Sequence, residues 1–269
     1  VVVSNATLHN EDEIDRKDIR IGDTVKIERA GDVIPHVIFV DLKKRDKKSK
    51  KFIFPDSCPS CGSKTIKEFN RTTKKYDAVR RCTNEGFECE KIAIEKIKHF
   101  ISKEAMNIDG LGKKVVENFW ALHLIRFPQD IYKLDYNKIS NLDGWGDLSV
   151  SNLKYSINQS KQVTLDRFLY AIGIRHIGIE NAKLLAEYTK SIKSFLKFVN
   201  KKKLNEFLNI DGIGETQIES LTNYFSNKSN VNITIELNSI LKIESQISNK
   251  NGVLKDKCFM FTGKLNGMS

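Results

Sequence analysis

Two sets of residues in this chain have types and spacings that could do chemistry. The first is a short string, apolar-Asp-Gly-apolar-Gly, that recurs through the middle of the sequence. It reads Ile108-Asp109-Gly110-Leu111-Gly112, Leu142-Asp143-Gly144-Trp145-Gly146, a variant Ile174-Arg175-His176-Ile177-Gly178, and Ile210-Asp211-Gly212-Ile213-Gly214. The closing glycines fall at 112, 146, 178 and 214, steps of 34, 32 and 36 residues, which is one structural unit used four times. Apolar residues follow at helical spacing, such as Val115, Val116 and Phe119 after the first copy and Ile218, Leu221 and Phe225 after the fourth. Each unit therefore reads as helix, tight hairpin, helix. A Gly-x-Gly turn lets a backbone approach another surface, and the helix that starts there presents unpaired N–H groups and the positive end of its dipole. Such a turn can hold a phosphate without base-specific side chains. Glycine is common in any interhelical turn, so one copy would carry little weight. Four copies in a basic chain point to nucleic acid. No copy continues to the third glycine of Gly-x-Gly-x-x-Gly, and no Gly-x-x-x-x-Gly-Lys-Ser/Thr occurs, which argues against nucleotide cradling.

The copies differ in charge. Lys113 and Lys114 follow the first, whereas Asp147, Glu180 and Glu215 follow the others, so the first hairpin is the strongest candidate for direct phosphate contact. In the third, His176 stands where the others have their first glycine, so its turn is expected to differ. Arg175 and His176 either touch phosphate or, for His176, pack in the turn; both readings stand.

The second set is cysteine. Cys58 and Cys61 lie in Cys-Pro-Ser-Cys-Gly, the spacing of a metal knuckle, and Cys82 and Cys89 follow after twenty intervening residues. Four thiolates from two turns make a closed tetrahedral structural zinc site, one that holds a fold rather than doing chemistry. The six residues between Cys82 and Cys89 exceed the usual spacing, which makes Cys89 the least secure ligand. Disulfides are the alternative. They are disfavoured by the fifth cysteine, Cys258, alone in an apolar stretch, and by a lysine-rich composition that suits a reducing cytosol.

The elements that must position these residues are legible in outline. Thr24 to Arg29 and Val33 to Val40 are β-branched apolar runs joined by Ala30-Gly31-Asp32, with an earlier turn at Gly22-Asp23, and they suit a small β-barrel. The lysine run from Lys43 to Lys51 reads as a solvated loop. Ser226 to Asn251, rich in Asn, Ser and Lys, reads as ending in a linker. Lys257 to Gly263 reads as a strand opening a new α/β domain. Lys and Arg number 45 against 34 Asp and Glu, a formal charge of +11 that favours polyanions. No apolar run approaches the roughly 20 residues that span a bilayer. The chain opens at Val1 rather than Met and is expected to be a fragment.

In this order the modules resemble the C-terminal two-thirds of a bacterial NAD-dependent DNA ligase. The resemblance is carried by Ala6-Thr7-Leu8-His9-Asn10, Asp18-Ile19-Arg20-Ile21-Gly22-Asp23 and Arg29-Ala30-Gly31-Asp32-Val33-Ile34-Pro35. Ala105-Met106-Asn107-Ile108-Asp109-Gly110, Gly173 to Gly178 and Phe261-Thr262-Gly263 extend it. The loop before Cys82 and the gap before Cys89 are longer than the family pattern.

The resemblance implies a multidomain α+β protein. Residues 1–54 would be an oligonucleotide-binding (OB-fold) β-barrel, 55–95 a four-cysteine zinc finger, 96–235 four helix-hairpin-helix units, 236–251 a linker and 252–269 the start of a BRCT domain. It implies a three-step reaction in which NAD+ adenylates a lysine, AMP passes to the 5′-phosphate of a nick, and the 3′-hydroxyl displaces it, with Mg2+ neutralising developing charge. The nucleophilic lysine belongs to a Lys-x-Asp-Gly string. This chain has none, its nearest match being Lys133-Leu134-Asp135-Tyr136, so it is expected to clamp nicked double-stranded DNA as a monomer without ligating alone. The implied setting is the bacterial cytoplasm and nucleoid. The DNA-contact candidates are Arg20 and Arg29 in the barrel, each alternatively a strand-edge arginine in solvent, with Gly110, Gly112, Lys113, Lys114, Gly144, Gly146, Arg175, His176, Gly178, Gly212 and Gly214. The competing expectation is a non-enzymatic helix-hairpin-helix scaffold for DNA repair or junctions.

Overall fold

A computed structural model describes residues 2–29, 34–70, 74–84 and 86–245. The Ala30-Gly31-Asp32 turn, Cys258 and the expected BRCT strand at 257–263 lie outside the described residues. The chain divides into two compact units at Ala93/Ile94.

In the first unit Asn10 caps α1 (Glu11–Arg16), its Oδ1 accepting from the Glu13 N–H at 3.0 Å. β1 (Val25–Glu28) pairs antiparallel with β2 (His36–Val40), Val25 facing Val40 and Glu28 facing His36, with a bulge between Lys26 and Ile27. A bridge from Thr7 to His36 adds to this sheet, and Val37 is its buried residue. Among the described residues these strands form a two-stranded sheet rather than a closed barrel. After a 3-10 turn at Leu42–Lys44, the supposedly solvated lysine run turns inward at Arg45. Arg45 grips Asp23 through Nε and Nη2, both at 2.8 Å, and Asp18 through Nη1 at 2.6 Å. The Asp23 side chain is only 2% exposed. Charges taken out of water must be paired, which explains the twin bonds. Hydrogen bonds from Arg20, then Arg45, hold the Asp18 carboxyl down to about 2. A depressed folded-state pKa contributes stability that is full above the ordinary carboxylate range and is lost as pH falls toward 2.

β3 (Thr65–Asn70) and β4 (Lys75–Cys82) then form an antiparallel hairpin, Thr65 facing Cys82 and Phe69 facing Tyr76, with an irregularity between Lys67 and Phe69.

The second unit is helical and is entered through α2 (Glu90–Ile101). It continues through α3 (Lys113–Ala121), a 3-10 turn at Pro128–Lys133, α4 (Tyr136–Ser140), α5 (Asp147–Gln159), β5 (Gln162–Thr164), α6 (Leu165–Ala171), α7 (Ile179–Thr189) and α8 (Ile192–Asn200). A 3-10 turn at Leu204–Asn209, α9 (Glu215–Ser226), α10 (Lys228–Ile240) and β6 (Lys242–Glu244) complete the described part. The apolar faces read from sequence are the core: Val116, Phe119 and Leu221 are fully buried and Ile218 nearly so. Tyr224 of α9 is buried as well, and Phe225 is half-buried with its ring 5.8 Å from that of the buried Phe195. The first helix of the fourth unit is the 3-10 turn at 204–209, not an α-helix.

The expected linker is corrected between residues 236 and 245. Residues 236–240 complete α10, and β6 pairs in parallel with β5, Val163 facing Ile243. Composition hid this helix because half of its buried face is polar. Asn230 and Thr234 are buried with Ile233 and Leu237. Asn230 Nδ2 donates to the Tyr224 carbonyl at 3.2 Å, and Thr234 Oγ1 donates to the Asn230 carbonyl at 2.8 Å.

Phe207 sits at the centre of an aromatic cluster, stacked 6.1 Å from Phe195 and within 5.0 Å of Phe198 and 5.8 Å of Tyr188 by ring centroids. Phe207→Ala empties a fully buried site and should cost about 3 to 5 kcal/mol. Urea unfolding of the variant and parent chains measures this directly.

Candidate nucleic-acid interface and metal centre

The hairpin string alternates buried anchors with displayed backbone. Ile108 and Leu111, Ile174 and Ile177, and Ile213 are buried, while Gly110, Gly112, Gly144, Gly146, Gly178, Gly212 and Gly214 are exposed. The first glycine has a conformational reason. Gly110, Gly144 and Gly212 have φ of +90°, +81° and +91°, in the left-handed region that L side chains rarely enter. His176 takes φ +59° at the equivalent place, so the third turn keeps this left-handed residue, contrary to the expectation that it must differ. Histidine is among the side chains that tolerate that region better than most. His176 and Arg175 are exposed, so His176 does not pack in its turn.

The second glycine has no such reason. Gly112, Gly146 and Gly178 have φ of −64°, −97° and −78°, open to any residue, and a Cβ on any of the three would meet nothing within 4 Å. Each is the N-cap of the helix that follows, as is Gly214 for α9, and none offers a capping side chain. Four other helices are capped by side chains, Asn10 on α1, Asp135 on α4, Ser191 on α8 and Asn227 on α10, while Thr164 at the start of α6 makes no such bond. Serine or aspartate at 112, 146 or 178 would stabilise its helix by a few tenths of a kcal/mol more than glycine. The glycines leave N–H groups and open space where a capping side chain would otherwise stand.

Two hairpins are packed against the second helix of a neighbouring unit. A Cβ on Gly110 would lie 3.4 Å from Leu153 Cδ1 of α5, and one on Gly212 would lie 3.0 Å from Leu184 Cδ1 of α7. The first unit is thus paired with the second, and the fourth with the third. Between the first two hairpins is an open groove lined by Gly110, Lys114, Asn118, Gly144, Trp145 and Asn152, among others. Two positioning residues had no signal in the repeated string. Ser156 Oγ accepts from the Asp109 N–H at 2.7 Å, tying the first hairpin to α5. Arg167 of α6 donates to the Ala105 and Lys103 carbonyls at 2.8 and 2.6 Å, holding the chain between α2 and that hairpin.

Electrostatics rank the hairpins as the sequence does. Lys113 and Lys114 are exposed at the start of α3, which has no acid in its first turn, so its dipole is unopposed. Asp147, Glu180 and Glu215 occupy the first turns of α5, α7 and α9. In the fourth hairpin Gln217 Oε1 already accepts from the Gly214 N–H at 3.0 Å.

In the first unit, Arg20 has partners within the chain. Its Nε and Nη2 bind Asp18 at 3.1 and 2.8 Å, and its Nη1 binds the Ser49 carbonyl at 2.9 Å. Through Asp18 the guanidinium joins the network of Asp23 and Arg45, with 26% of its side chain left exposed. Arg29 is exposed.

The four cysteines converge. One sulfur from each of Cys58, Cys61, Cys82 and Cys89 lies within 4.8 Å of all the others, with Cys61 to Cys82 at 3.5 Å and Cys58 to Cys89 at 4.0 Å. Four thiolates about 2.3 Å from a tetrahedral metal stand about 3.8 Å apart, so these donors fit such an ion. β3 and β4 achieve the convergence by bringing Cys82 back beside the Cys58–Cys61 knuckle, where the Cys58 N–H meets the Ser63 carbonyl at 2.7 Å. The longer gap carries the chain to Cys89, which is fully buried. Hydrogen bonds from the Ser63 hydroxyl and N–H lower the Cys61 thiol to about 6, favouring the thiolate. Burial pushes Cys82 up to about 12. The Asn84 N–H and Nδ2 donate to Cys82 and Cys61 sulfur at 3.4 and 3.6 Å.

Comparison with known proteins agrees with this anatomy. A family profile described as the NAD-dependent DNA ligase OB-fold domain matches residues 1–49, and one for the helix-hairpin-helix motif matches 167–234. A DNA ligase of Pelagibacter ubique is 64% identical over 270 residues, covering 100% of this chain and 40% of the relative. A DNA ligase of Wolbachia pipientis wMel is 43% identical over 276 residues, 100% of this chain and 41% of the relative. One of Parvibaculum lavamentivorans is 39% identical over 283 residues, 100% and 40%. The chain thus spans about 40% of the length of these relatives. The OB-fold segment, the thiolate cluster and the hairpin array all fall within the span that aligns with these enzymes, and over that span the chain resembles the NAD-dependent DNA ligases.

Proposed function

We propose that this chain is the DNA-gripping part of a ligase that seals nicks in duplex DNA in the bacterial cytoplasm. One observation carries the reading: the second glycine of three hairpins answers no demand inside the chain, neither of φ nor of internal packing. A residue that gives up a better cap and keeps open space at a helix N-terminus is suited to an external anion. Repeated along one chain, such sites match the repeated phosphates of a duplex. Gly112 with Lys113 and Lys114 is the principal contact; Gly110, Gly144, Gly146, Arg175, His176, Gly178, Gly212, Gly214 and Arg29 are the remaining candidates. The Gly214 site is weakest because Gln217 occupies its N–H. The grip depends on backbone groups and lysine point charges, so it is indifferent to base sequence.

Ligation itself would draw AMP from NAD+ with Mg2+ neutralising phosphate charge; the residues of this chain hold and orient the nicked duplex for it. Zinc is the ion we assign to the four cysteines, where it would keep β3 and β4 folded against the Cys58–Cys61 knuckle. The helix-hairpin-helix scaffold without an enzyme is not favoured, because the OB-fold segment matches the ligase family in particular.

Gly112→Asp separates grip from fold. An aspartate there should cap α3 and leave the melting temperature equal or higher, yet weaken duplex binding several-fold by opposing phosphate; unchanged affinity in titrations against labelled nicked DNA would return Gly112 to a structural turn. His176→Gly supplies the residue that the other turns use at this place. It should keep the fold and lower DNA affinity by about threefold through loss of one exposed phosphate contact, whereas equal affinity would remove His176 from the interface. The purified chain should carry one zinc by elemental analysis, and Cys89→Ser should surrender that metal to a chelator far faster than the parent; equal retention would exclude Cys89 as a ligand.

A further inference from the structure

The β3–β4 hairpin is longer than a metal knuckle needs, and its two ends have opposite characters. Near the cysteines it is tied to α1 by charge. Arg80 Nη2 meets Glu11 at 2.9 Å, and Lys67 Nζ meets Glu11 at 3.0 Å and Asp12 at 2.6 Å. Lys67 and Arg80 face one another across the strands, so the pair is held from both sides. These partners draw the Glu11 carboxyl below its usual range, Arg80 contributing most.

Beyond this anchor the hairpin displays rings. Past the irregularity that follows Lys67, the strands pair again at Phe69 and Tyr76. Phe69 pairs with Tyr76 edge to face, centroids 5.1 Å apart. The rings are 49% and 68% exposed. Lys74 and Lys75, next in sequence to Tyr76, are exposed, and Lys74 has φ +56°. An exposed aromatic pair beside two cations, on an arm tied to α1 by ion pairs, fits a polyanion that itself carries flat rings. A second copy of the chain is the poorer occupant, since it would set Lys74 and Lys75 against identical charges.

We propose that this hairpin end is a second DNA contact, in which Tyr76 and Phe69 take the face of an unstacked nucleotide while Lys74 and Lys75 hold its flanking phosphates. An unstacked face is available where a strand is broken or missing, and is hidden inside a continuous duplex. The proposal rests on the reading that the chain's partner is DNA, and adds a contact that recognises the discontinuity rather than the backbone alone.

Tyr76→Ser tests it by fluorescence anisotropy at fixed salt, with a continuous duplex and the same duplex carrying a short single-stranded gap. Retained zinc and an unchanged melting temperature certify the fold of the variant. The expected result is about tenfold weaker binding to gapped DNA and less than about twofold to continuous duplex, the scale of one lost base–aromatic stack. Should Tyr76→Ser unfold the hairpin, the double change Lys74→Glu and Lys75→Glu lies wholly on exposed side chains and should reduce the salt slope on gapped DNA by about two. Equal affinity of variant and parent for both DNAs overturns the proposal and leaves the hairpin-array reading intact. An equal loss on both DNAs overturns the recognition of an unstacked nucleotide. A parent chain that binds neither DNA overturns both readings. Loss confined to binding of anionic phospholipid vesicles, or a dimer broken by Tyr76→Ser with DNA affinity unchanged, assigns the rings to a membrane or a second copy and overturns the proposal as well.

Discussion

The interaction on which the helical unit depends is the unpaired start of a helix. An α-helix leaves its first N–H groups without internal partners, and four helices here settle that debt with a side chain, Asn10, Asp135, Ser191 or Asn227. At α3, α5 and α7 the chain leaves it open with glycine. Buried anchors such as Ile108 and Leu111 keep each turn in place. The left-handed residue before the cap, Gly110, Gly144, His176 or Gly212, aims the helix start outward. On the proposed reading, fold and grip are two uses of the same turn. The same physics explains why the hairpins are unequal: an acid in the first turn offsets the dipole locally, and α3 lacks one.

The smaller unit solves a different problem. Its β1–β2 sheet buries little, with Val37 its one deeply buried side chain among the described residues, so hydrophobic area alone is a weak source of order. Polar networks fill the gap. Arg45 locks Asp18 and Asp23, Arg20 reinforces Asp18, Glu11 ties α1 to β3 and β4, and four thiolates gather at one point. Each network is built from residues distant in sequence, so each closes a loop that would otherwise be free.

Much of this was legible in the sequence, for reasons that differ by element. The hairpins were legible because repetition averages out local accident and because glycine and buried aliphatics leave a fixed string. Cys58 and Cys61 were legible from their spacing; Cys89 was the least secure of the four, because its approach depends on where β4 ends. The partners of Arg20 were not legible, because Asp18 and the Ser49 carbonyl reach it only once the chain is folded. The end of α10 and β6 were hidden by composition, since Asn230 and Thr234 are polar in type yet buried and hydrogen-bonded in place. His176 shows the converse: the local rule that a left-handed turn wants glycine gave way to an exposed histidine.

The central claim is that the array holds duplex DNA by its phosphates. Its most direct test is the dependence of the affinity of this chain for nicked duplex on salt concentration. Each phosphate neutralised contributes a slope of about −0.9 in a log–log plot, so an array gripping through several hairpins should give a slope of about −3 or steeper. A slope near zero, with affinity preserved at high salt, would contradict the account and return the four hairpins to the role of turns.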